Sequence, residues 1–380
     1  MNVYFDNAAS TKVRDEACGA ALRVMREQYG NPSSAHYMGR AAAQELTCAR
    51  KSVADALGAR PGEIYFTSGG TEADNLAVFG ACEALRRGGK HVIISAIEHD
   101  AVMKPAGKLE SMGFDVTYLV PDSSGSMSVD TFAGALREDT VFASVMLVNN
   151  ETGAINPVGE YSREIKRRGL GTVLHTDAVQ GFCKIPFTVK TLGVDLLSVS
   201  AHKLHGPKGV GALYVREGVK LLPLLLGGGH ENEKRAGTEA LPAIAGFGEA
   251  ARLGSLERGE TAAAVGKLRE YIAARLANEL PEATLIGEGG TPFILSLSLP
   301  GWKSEVLMNA LEGEGICVSN SAACKKGARS RVLEAMRLKN DVIDGALRVS
   351  FSRYSTQDEA EYFVQKLKKA AERIVRAHGR

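Results

Sequence analysis

No stretch of this chain holds about 18 apolar residues in a row, the length a helix needs to cross a bilayer, so no transmembrane segment is expected. The start, Met1-Asn2-Val3-Tyr4-Phe5-Asp6, lacks the basic residues and apolar run of an export signal. Neither charge is in surplus: 46 Lys and Arg stand against 44 Asp and Glu, a net charge of +2. That balance removes the electrostatic case for nucleic acid or a membrane surface as partner. Cysteine is sparse and unpaired. Cys18, Cys48, Cys82, Cys183, Cys317 and Cys324 include no CxxC spacing, which argues against a disulfide framework and a zinc site, so no metal is expected. A reducing cytoplasm is the expected compartment, and one thiol is left free to be chemically special. A Walker A loop is also missing, since neither Ser68-Gly69-Gly70-Thr71 nor Gly206-Pro207-Lys208-Gly209 has its spacing. Internal repeats and low-complexity segments are absent as well.

What remains is ordinary globular material, 44% hydrophobic and 24% charged over 380 residues, enough for a large α/β unit with a smaller one attached. Helical spacing runs over Val13–Gln28 and Arg40–Leu57, the second stopping at Gly58. Ile64–Thr67 reads as a buried strand that turns through Ser68-Gly69-Gly70-Thr71 into a helix ending near Arg86–Gly89. Strand-like His91–Ser95, Val116–Val120, Val141–Val148, Thr172–His175, Leu196–Ser200 and Gly211–Val215 follow, with helices at Val102–Met112 and Glu160–Arg168 between them. Continuous apolar strands alternating with helices predict a mostly parallel sheet covered on both faces. After about Leu253 charged helical residues dominate to about Leu280. Ile294–Leu299 then alternates like a half-exposed strand, and a helix (Ser304–Leu311), strands (Ile316–Val318, Leu347–Phe351) and a terminal helix (Asp358–Ala377) complete an α+β segment. The expected division is a large domain over 15–252 and a small domain made of 1–14 with 253–380.

In open α/β sheets ligands bind beyond the carboxyl ends of the strands, and the residues following the predicted strands are polar: Ser68–Thr71, Glu98-His99-Asp100, Asn149-Asn150-Glu151, Asp177–Gln180 and Ser200–Lys203. The small residues of Ser68-Gly69-Gly70-Thr71 at a helix start suit an anion, although a plain capped turn has the same composition. Lys203, directly after an apolar strand, can lose its proton and form a Schiff base; a lone lysine is more often a surface charge, as Lys208 after its Gly-Pro turn is expected to be. Asp177 can hold a pyridinium nitrogen protonated or merely cap a helix. His99 can stack on an aromatic cofactor or simply pack. Taken together, an Asp after one strand, a Lys after the next and a phosphate-type turn upstream form the recurrent layout of pyridoxal-phosphate (PLP) enzymes with the aspartate aminotransferase-like fold.

One family is resembled in particular. Tyr4-Phe5-Asp6-Asn7-Ala8-Ala9, Gly30–Ser34, Phe66–Asn75, Val148–Glu151, Ser200-Ala201-His202-Lys203, Gly206–Gly209, Gly227–Glu231 and Arg235–Glu239 resemble, in order and register, the cysteine desulfurases of the NifS/IscS type within the class V aminotransferases. The resemblance implies PLP held by Lys203 as a Schiff base, with Asp177 on the ring nitrogen, Gln180 on the ring oxygen and His99 stacked on the ring. It places Gly70, Thr71, Ser200 and His202 on the phosphate, and Thr238 on the phosphate of a neighbouring subunit, hence a homodimer. Asn150 would lie beside the cofactor and substrate. Arg353, with Arg348 as the weaker candidate, would bind the substrate carboxylate, a task suited to a guanidinium. Catalysis would rest on Lys203, His99 and Cys324, the last taking sulfur from L-cysteine as a persulfide and passing it to an acceptor such as an iron–sulfur scaffold.

Ser319-Asn320-Ser321-Ala322-Ala323-Cys324 departs from the family's Ser-x-Gly-Ser-Ala-Cys, and Lys325–Ser330 is short for the family's sulfur-delivering loop. A buried small residue is the ordinary reading of such a cysteine. Lys325, Lys326 and Arg329 suggest instead an exposed thiol of lowered pKa. Cys317, in an apolar strand, is read as core, and Cys18, Cys48, Cys82 and Cys183 as ordinary packing residues. A selenocysteine lyase, another small-substrate PLP enzyme, or a sulfur-relay protein with reduced turnover stand as alternatives.

Overall fold

Apolar, β-branched runs without polar alternation become the central strands in the computed structural model of the chain, which describes residues 1–287, 289–320 and 329–374. In chain order the strands are β1 (Val3–Tyr4), β2 (Ile64–Thr67), β3 (His91–Ser95), β4 (Asp115–Leu119), β5 (Thr140–Ser144), β6 (Val173–Asp177), β7 (Leu196–Ser200), β8 (Gly211–Val215), β9 (Thr284–Ile286), β10 (Ile294–Ser298), β11 (Ile316–Cys317), β12 (Ser319–Asn320) and β13 (Ala346–Ser350). A seven-stranded sheet has the order β2-β8-β7-β6-β5-β3-β4. From β7 to β4 every pairing is parallel, and β8 runs antiparallel to both its neighbours. The predicted mostly parallel sheet is therefore found.

Both faces of the sheet are covered. Ile93 of β3 packs into one core with Phe66, Leu147 and Phe247, while its neighbours Val92 and Ile94 join the opposite core with Leu76, Ala77 and Leu109. This is the period-two consequence of a strand buried on both sides. Val145–Val148 continue β5 as buried chain, the Val145 and Leu147 N–H groups still donating to the His175 and Asp177 carbonyls of β6, before an isolated bridge from Val148 to Ile155 turns the chain back. The helix Tyr37–Leu57 ends where expected, at Gly58, whose φ of 66° is the left-handed cap conformation that glycine adopts without a Cβ penalty.

The long helix Leu241–Glu279 starts well before the charged segment that announced it. Its first turns (Ile244, Phe247, Ala250, Ala251) are apolar and buried in the large core, so they carry no amphipathic period to read. Its later turns (Val265, Leu268, Ile272, Leu276) belong to a separate core with Phe5, Leu297, Leu347 and Phe363. That second core lies on a four-stranded antiparallel sheet ordered β12-β13-β10-β9. β1 pairs in parallel with β11, and Phe5 meets Phe351 and Phe363 edge-on at 5.3 and 5.9 Å, tying the N-terminus to this unit. The short helices Arg331–Ala335 and Asn340–Asp344, in contrast, bury Val332, Leu333 and Ile343 in the large core, so the chain crosses between the two cores more than once.

β10, expected to be half exposed, is buried throughout. It lies between β9 and β13, and its alternate polar positions are serines small enough to be covered, with Ser298 Oγ donating to the Val342 carbonyl at 2.6 Å. Cys317, read as core, is exposed, because β11 is an edge strand whose second residue faces out. Among the described residues no helix is long and apolar enough to cross a membrane.

Candidate active site

The carboxyl ends of β3, β5, β6 and β7 open into one cavity of about 680 Å³. The parallel arrangement brings the polar turns after these strands to the same edge of the sheet. Glu98 and His99 follow β3, Asn150 and Glu151 follow β5, Asp177 closes β6 with Gln180 beyond it, and Ser200 closes β7 ahead of His202 and Lys203; all line the cavity. Gly70 and Thr71 enter from the turn after β2, and Ala8, Ala9 and Arg348 close the opposite wall.

Lys203 sits on the single turn Ala201–Lys203, and its Nζ donates to the carbonyls of Ala8 at 2.6 Å and Ala9 at 2.7 Å. Burial, reinforced by the Arg348 charge, brings its pKa down to about 8, with Asp177 and Asp6 pulling the other way. An amine so placed is a ready nucleophile and base near neutral pH. Asp177 accepts the Val179 N–H at 2.8 Å. Burial raises its carboxyl pKa, against the Val179 hydrogen bond and the charges of His99 and Lys203.

Asp177 shares this wall with two further acids. Burial, then Asp177 itself, pushes Asp74 up. Burial carries Glu98 up to about 8, although Ser95 Oγ donates to it at 2.6 Å and the Met146 N–H at 2.5 Å. Among the described residues, Asp74 Oδ1, Glu98 Oε2 and Arg348 Nε are buried without a hydrogen-bond partner, although His175 Nε2 stands 3.6 Å from Asp74 Oδ1. Behind them His175, held between Ser144 Oγ (2.8 Å) and Ser198 Oγ (3.0 Å), is kept neutral by burial, its pKa brought down to about 3.

At the other end of the cavity the helix Gly70–Leu85 points its N-terminus inward. The first N–H groups of a helix have no partner within it and favour an anion. A Cβ on Gly70 would come within 3.0 Å of Val179 Cγ2 and 3.6 Å of Ser200 Cβ, so glycine keeps the cradle open. His202 lies beside it, brought down to about 4 by burial and then by Lys203, and meets Ser10 Oγ at 3.3 Å. His99 is the cap of the helix Asp100–Ser111, its Nδ1 accepting from the Ala101 N–H at 3.1 Å. The imidazole is otherwise exposed over the cavity.

Two expected residues, Arg353 and Thr238, stand elsewhere. Arg353 lies in a second pocket with Arg14, His205 and Glu257, which borders the main cavity only at Lys203, and pairs with Glu257. Arg348 is the arginine that lines the main cavity. It is buried, donating from Nη2 to Asp6 Oδ1 at 3.0 Å and from Nη1 to the Asn150 carbonyl at 2.9 Å. Strand alternation decides between the two: on β13 Leu347 and Val349 face the core, which turns Arg348 to the cavity, whereas Arg353 comes after the strand has ended. Thr238 is exposed and outside this chain's cavity, although Arg235, three residues earlier, reaches Glu72 at the start of the Gly70 helix (2.9 Å). Cys324, with Lys325 and Lys326, lies outside the described residues.

Of the other cysteines, Cys18 and Cys48 are exposed on helix surfaces rather than packed, and Cys82 and Cys183 are buried. Lys208 is exposed as expected. Two cavity residues escaped the sequence reading. Asp74 stands one helical turn after Gly70, a spacing that puts it on the same face, but inside an apolar helix nothing marked it. Arg331, which donates to the carbonyls of Ala96 and Glu98, is one of several arginines in a charged segment. Among the described residues no cluster of His, Cys, Asp and Glu could hold a metal ion.

The class-V aminotransferase family model matches residues 3–363. The chain belongs to that family. It is similar to the cysteine desulfurase IscS of Dictyoglomus turgidum, with 40% identity over 376 residues that cover 98% of this chain and 95% of the relative. Among solved structures, a NifS-like protein superposes with a TM-score of 0.93 at 39% identity, covering 98% of this chain and 100% of that one. SspA in complex with cysteine superposes with a TM-score of 0.81 at 33% identity, covering 93% and 100%. The aspartate aminotransferase-like architecture expected from the sequence is thus the architecture of this class-V chain.

Proposed function

We propose that this class-V chain is a PLP-dependent cysteine desulfurase that converts L-cysteine to L-alanine and holds the sulfur as a persulfide on Cys324. The observation that carries the reading is the convergence of Lys203, Asp177 and Arg348 on one cavity, together with relatives named cysteine desulfurase and a relative solved with cysteine.

The residues present fit PLP. The Gly70 cradle, Thr71, Ser200 and the neutral His202 suit its phosphate; the buried Asp177 suits the ring nitrogen, Gln180 the ring oxygen and His99 the ring face; the Lys203 amine suits its aldehyde carbon. Bound there, PLP supplies an electron sink for the charge that develops at the substrate Cα. Arg348 binds the substrate carboxylate beside Asn150, replacing the role expected of Arg353. The Lys203 amine takes the Cα proton. Asp177 keeps a negative charge opposite the ring nitrogen. The Cys324 thiolate bonds to the substrate sulfur as the substrate C–S bond breaks, and protonation of the carbon skeleton leaves alanine. Sulfur then passes to an acceptor for iron–sulfur cluster or other thio-cofactor synthesis.

A homodimer is part of this reading. Exposed Leu222, Leu224, Leu225 and Leu226 form an apolar strip, and Leu225 receives the Ala236 N–H, two residues before Thr238. A second copy covering this strip would carry Thr238 to its neighbour's phosphate. The five described cysteines are all free, in keeping with a cytoplasmic location.

The test is incubation of the purified, PLP-loaded protein with L-cysteine and no keto acid, measuring alanine and sulfide with and without dithiothreitol. Alanine and sulfide in equal amounts, with sulfide release stimulated by thiol, are expected. A yellow protein that forms no alanine would overturn the reading.

A further inference from the structure

Lys184 is a lysine that the proposed chemistry leaves without a task, yet it is buried just behind the cavity. An ammonium in such a place costs free energy unless it is matched. Among the described residues its hydrogen-bond partner is Gln180, with Nζ donating to Oε1 at 3.0 Å. The Phe293 ring lies beneath it, 5.8 Å from Nζ to the centroid. The other edge of the same amide, Gln180 Nε2, donates to the Ala8 carbonyl at 2.8 Å. That carbonyl also accepts from Lys203 Nζ at 2.6 Å. A continuous chain of hydrogen bonds therefore runs from Lys184 through Gln180 and Ala8 to Lys203.

A glutamine amide can be turned end for end at little cost unless its neighbours forbid it. Here both neighbours do. In the reversed orientation the NH₂ group would face the Lys184 donors, and Oε1 would face the Ala8 carbonyl oxygen. A donor pair and an acceptor pair would be buried face to face, each costing the desolvation of unpaired polar groups. Gln180 also lines the main cavity; with Oε1 taken by Lys184, Nε2 keeps a second N–H, beyond the one given to Ala8, that it can offer there.

We propose that Lys184 is a positioning residue that fixes the Gln180 amide, so that the cavity presents a hydrogen-bond donor to a negatively charged ring oxygen beside Lys203. This rests on the PLP reading and adds the residue that sets the polarity of the site at that oxygen. Burial, then the charges of Lys203 and Arg348, brings Lys184 down to about 7. Its role as donor survives either way, because a neutral amine still carries N–H groups while a methionine carries none.

The experiment is a pH titration of the visible absorption band of the PLP-loaded protein, compared among wild type, Lys184→Met, Lys184→Gln and Gln180→Ala. A donor to the ring oxygen favours its charged form and lowers the midpoint at which the cofactor linkage loses its proton. Lys184→Met keeps the apolar stem, releases the amide and removes a positive charge. It should raise the midpoint by about 0.5 pH unit or more, a fraction of what a charge-assisted hydrogen bond is worth. Lys184→Gln, able to donate or accept, should give a smaller rise in the same direction. A wild-type midpoint in both Lys184 variants, alongside a shifted midpoint in Gln180→Ala, would overturn the proposal, as would loss of cofactor binding in both while Gln180→Ala still binds it. An unchanged midpoint in Gln180→Ala would instead place the ring oxygen elsewhere, and the failure would then lie with the PLP reading itself.

Discussion

Arg348 Nη2 and Asp6 Oδ1 lie 3.0 Å apart, a pair that joins β13, the second strand in the order of the small sheet, to the N-terminal segment at the wall of the cavity. Arg348 is only 2% exposed, and among the described residues its Nε has no hydrogen-bond partner. A guanidinium held by one edge, with a further N–H unsatisfied, is prepared for a carboxylate.

Two arginine substitutions separate the candidates for that role. Arg348→Lys should lower kcat/KM for L-cysteine by about 10- to 100-fold, the worth of a charged, two-point contact reduced to one. Arg353→Lys, whose partner Glu257 lies outside the cavity, should change it by no more than about twofold. Steady-state kinetics on both variants, each checked for cofactor absorbance, decides between them. The opposite ranking would return the role to Arg353.

Loading of the cofactor should report the lowered pKa of Lys203. Only the neutral amine attacks an aldehyde. Burial and Arg348 hold Lys203 down at about 8, so the rate at which the cofactor-free protein takes up PLP should climb about tenfold per pH unit below that value and level off above it. Stopped-flow absorbance between pH 6 and 9.5 gives the profile. A rate still climbing steeply beyond about pH 9.5 would mean an ordinary lysine.

Glu98 should make the fold less stable as pH rises. Its folded pKa of about 8 stands above the usual 4.5. Its buried, protonated form therefore contributes fully below 4.5, and that contribution is lost as pH climbs towards 8. Glu98→Gln keeps an acceptor for Ser95 and Met146 without the titrating proton. Its melting temperature should match wild type near pH 5 and exceed it by a few degrees near pH 8.5. A constant difference across that range would show that Glu98 does not titrate in the window.

Cys324→Ser should leave the cofactor spectrum and its response to L-cysteine intact while abolishing the protein persulfide and thiol-stimulated sulfide release. Mass spectrometry of the cysteine-treated protein reads the added sulfur directly. Persulfide on exposed Cys317 in place of Cys324 would move the nucleophile.

Much of the sheet was legible in the chain itself. β2, β3, β7 and β8 were read to the residue, because strands buried on both faces leave unbroken apolar runs with polar turns at their ends. The same logic singled out Lys203, Asp177, His99 and Gly70, since residues that follow parallel strands must meet at one edge. Other features depend on what packs against what. The first turns of Leu241–Glu279 show no helical period because small and apolar residues fill nearly every position and most of them are buried. Ser298 of β10 looks solvent-facing until the helix Asn340–Asp344 packs over it.

Composition, pattern and strand order thus determined the architecture and the edge at which the chemistry stands, because burial of apolar faces is a property that residues carry with them along the chain. Which arginine faces the cavity, which buried carboxyl oxygens lack a hydrogen-bond partner among the described residues, and that the Ala8 carbonyl meets the amide Lys184 holds were decided by the tertiary structure alone. Each depends on the direction of a side chain relative to groups far away in sequence, and on the loss of water around it, neither of which is written at any single position.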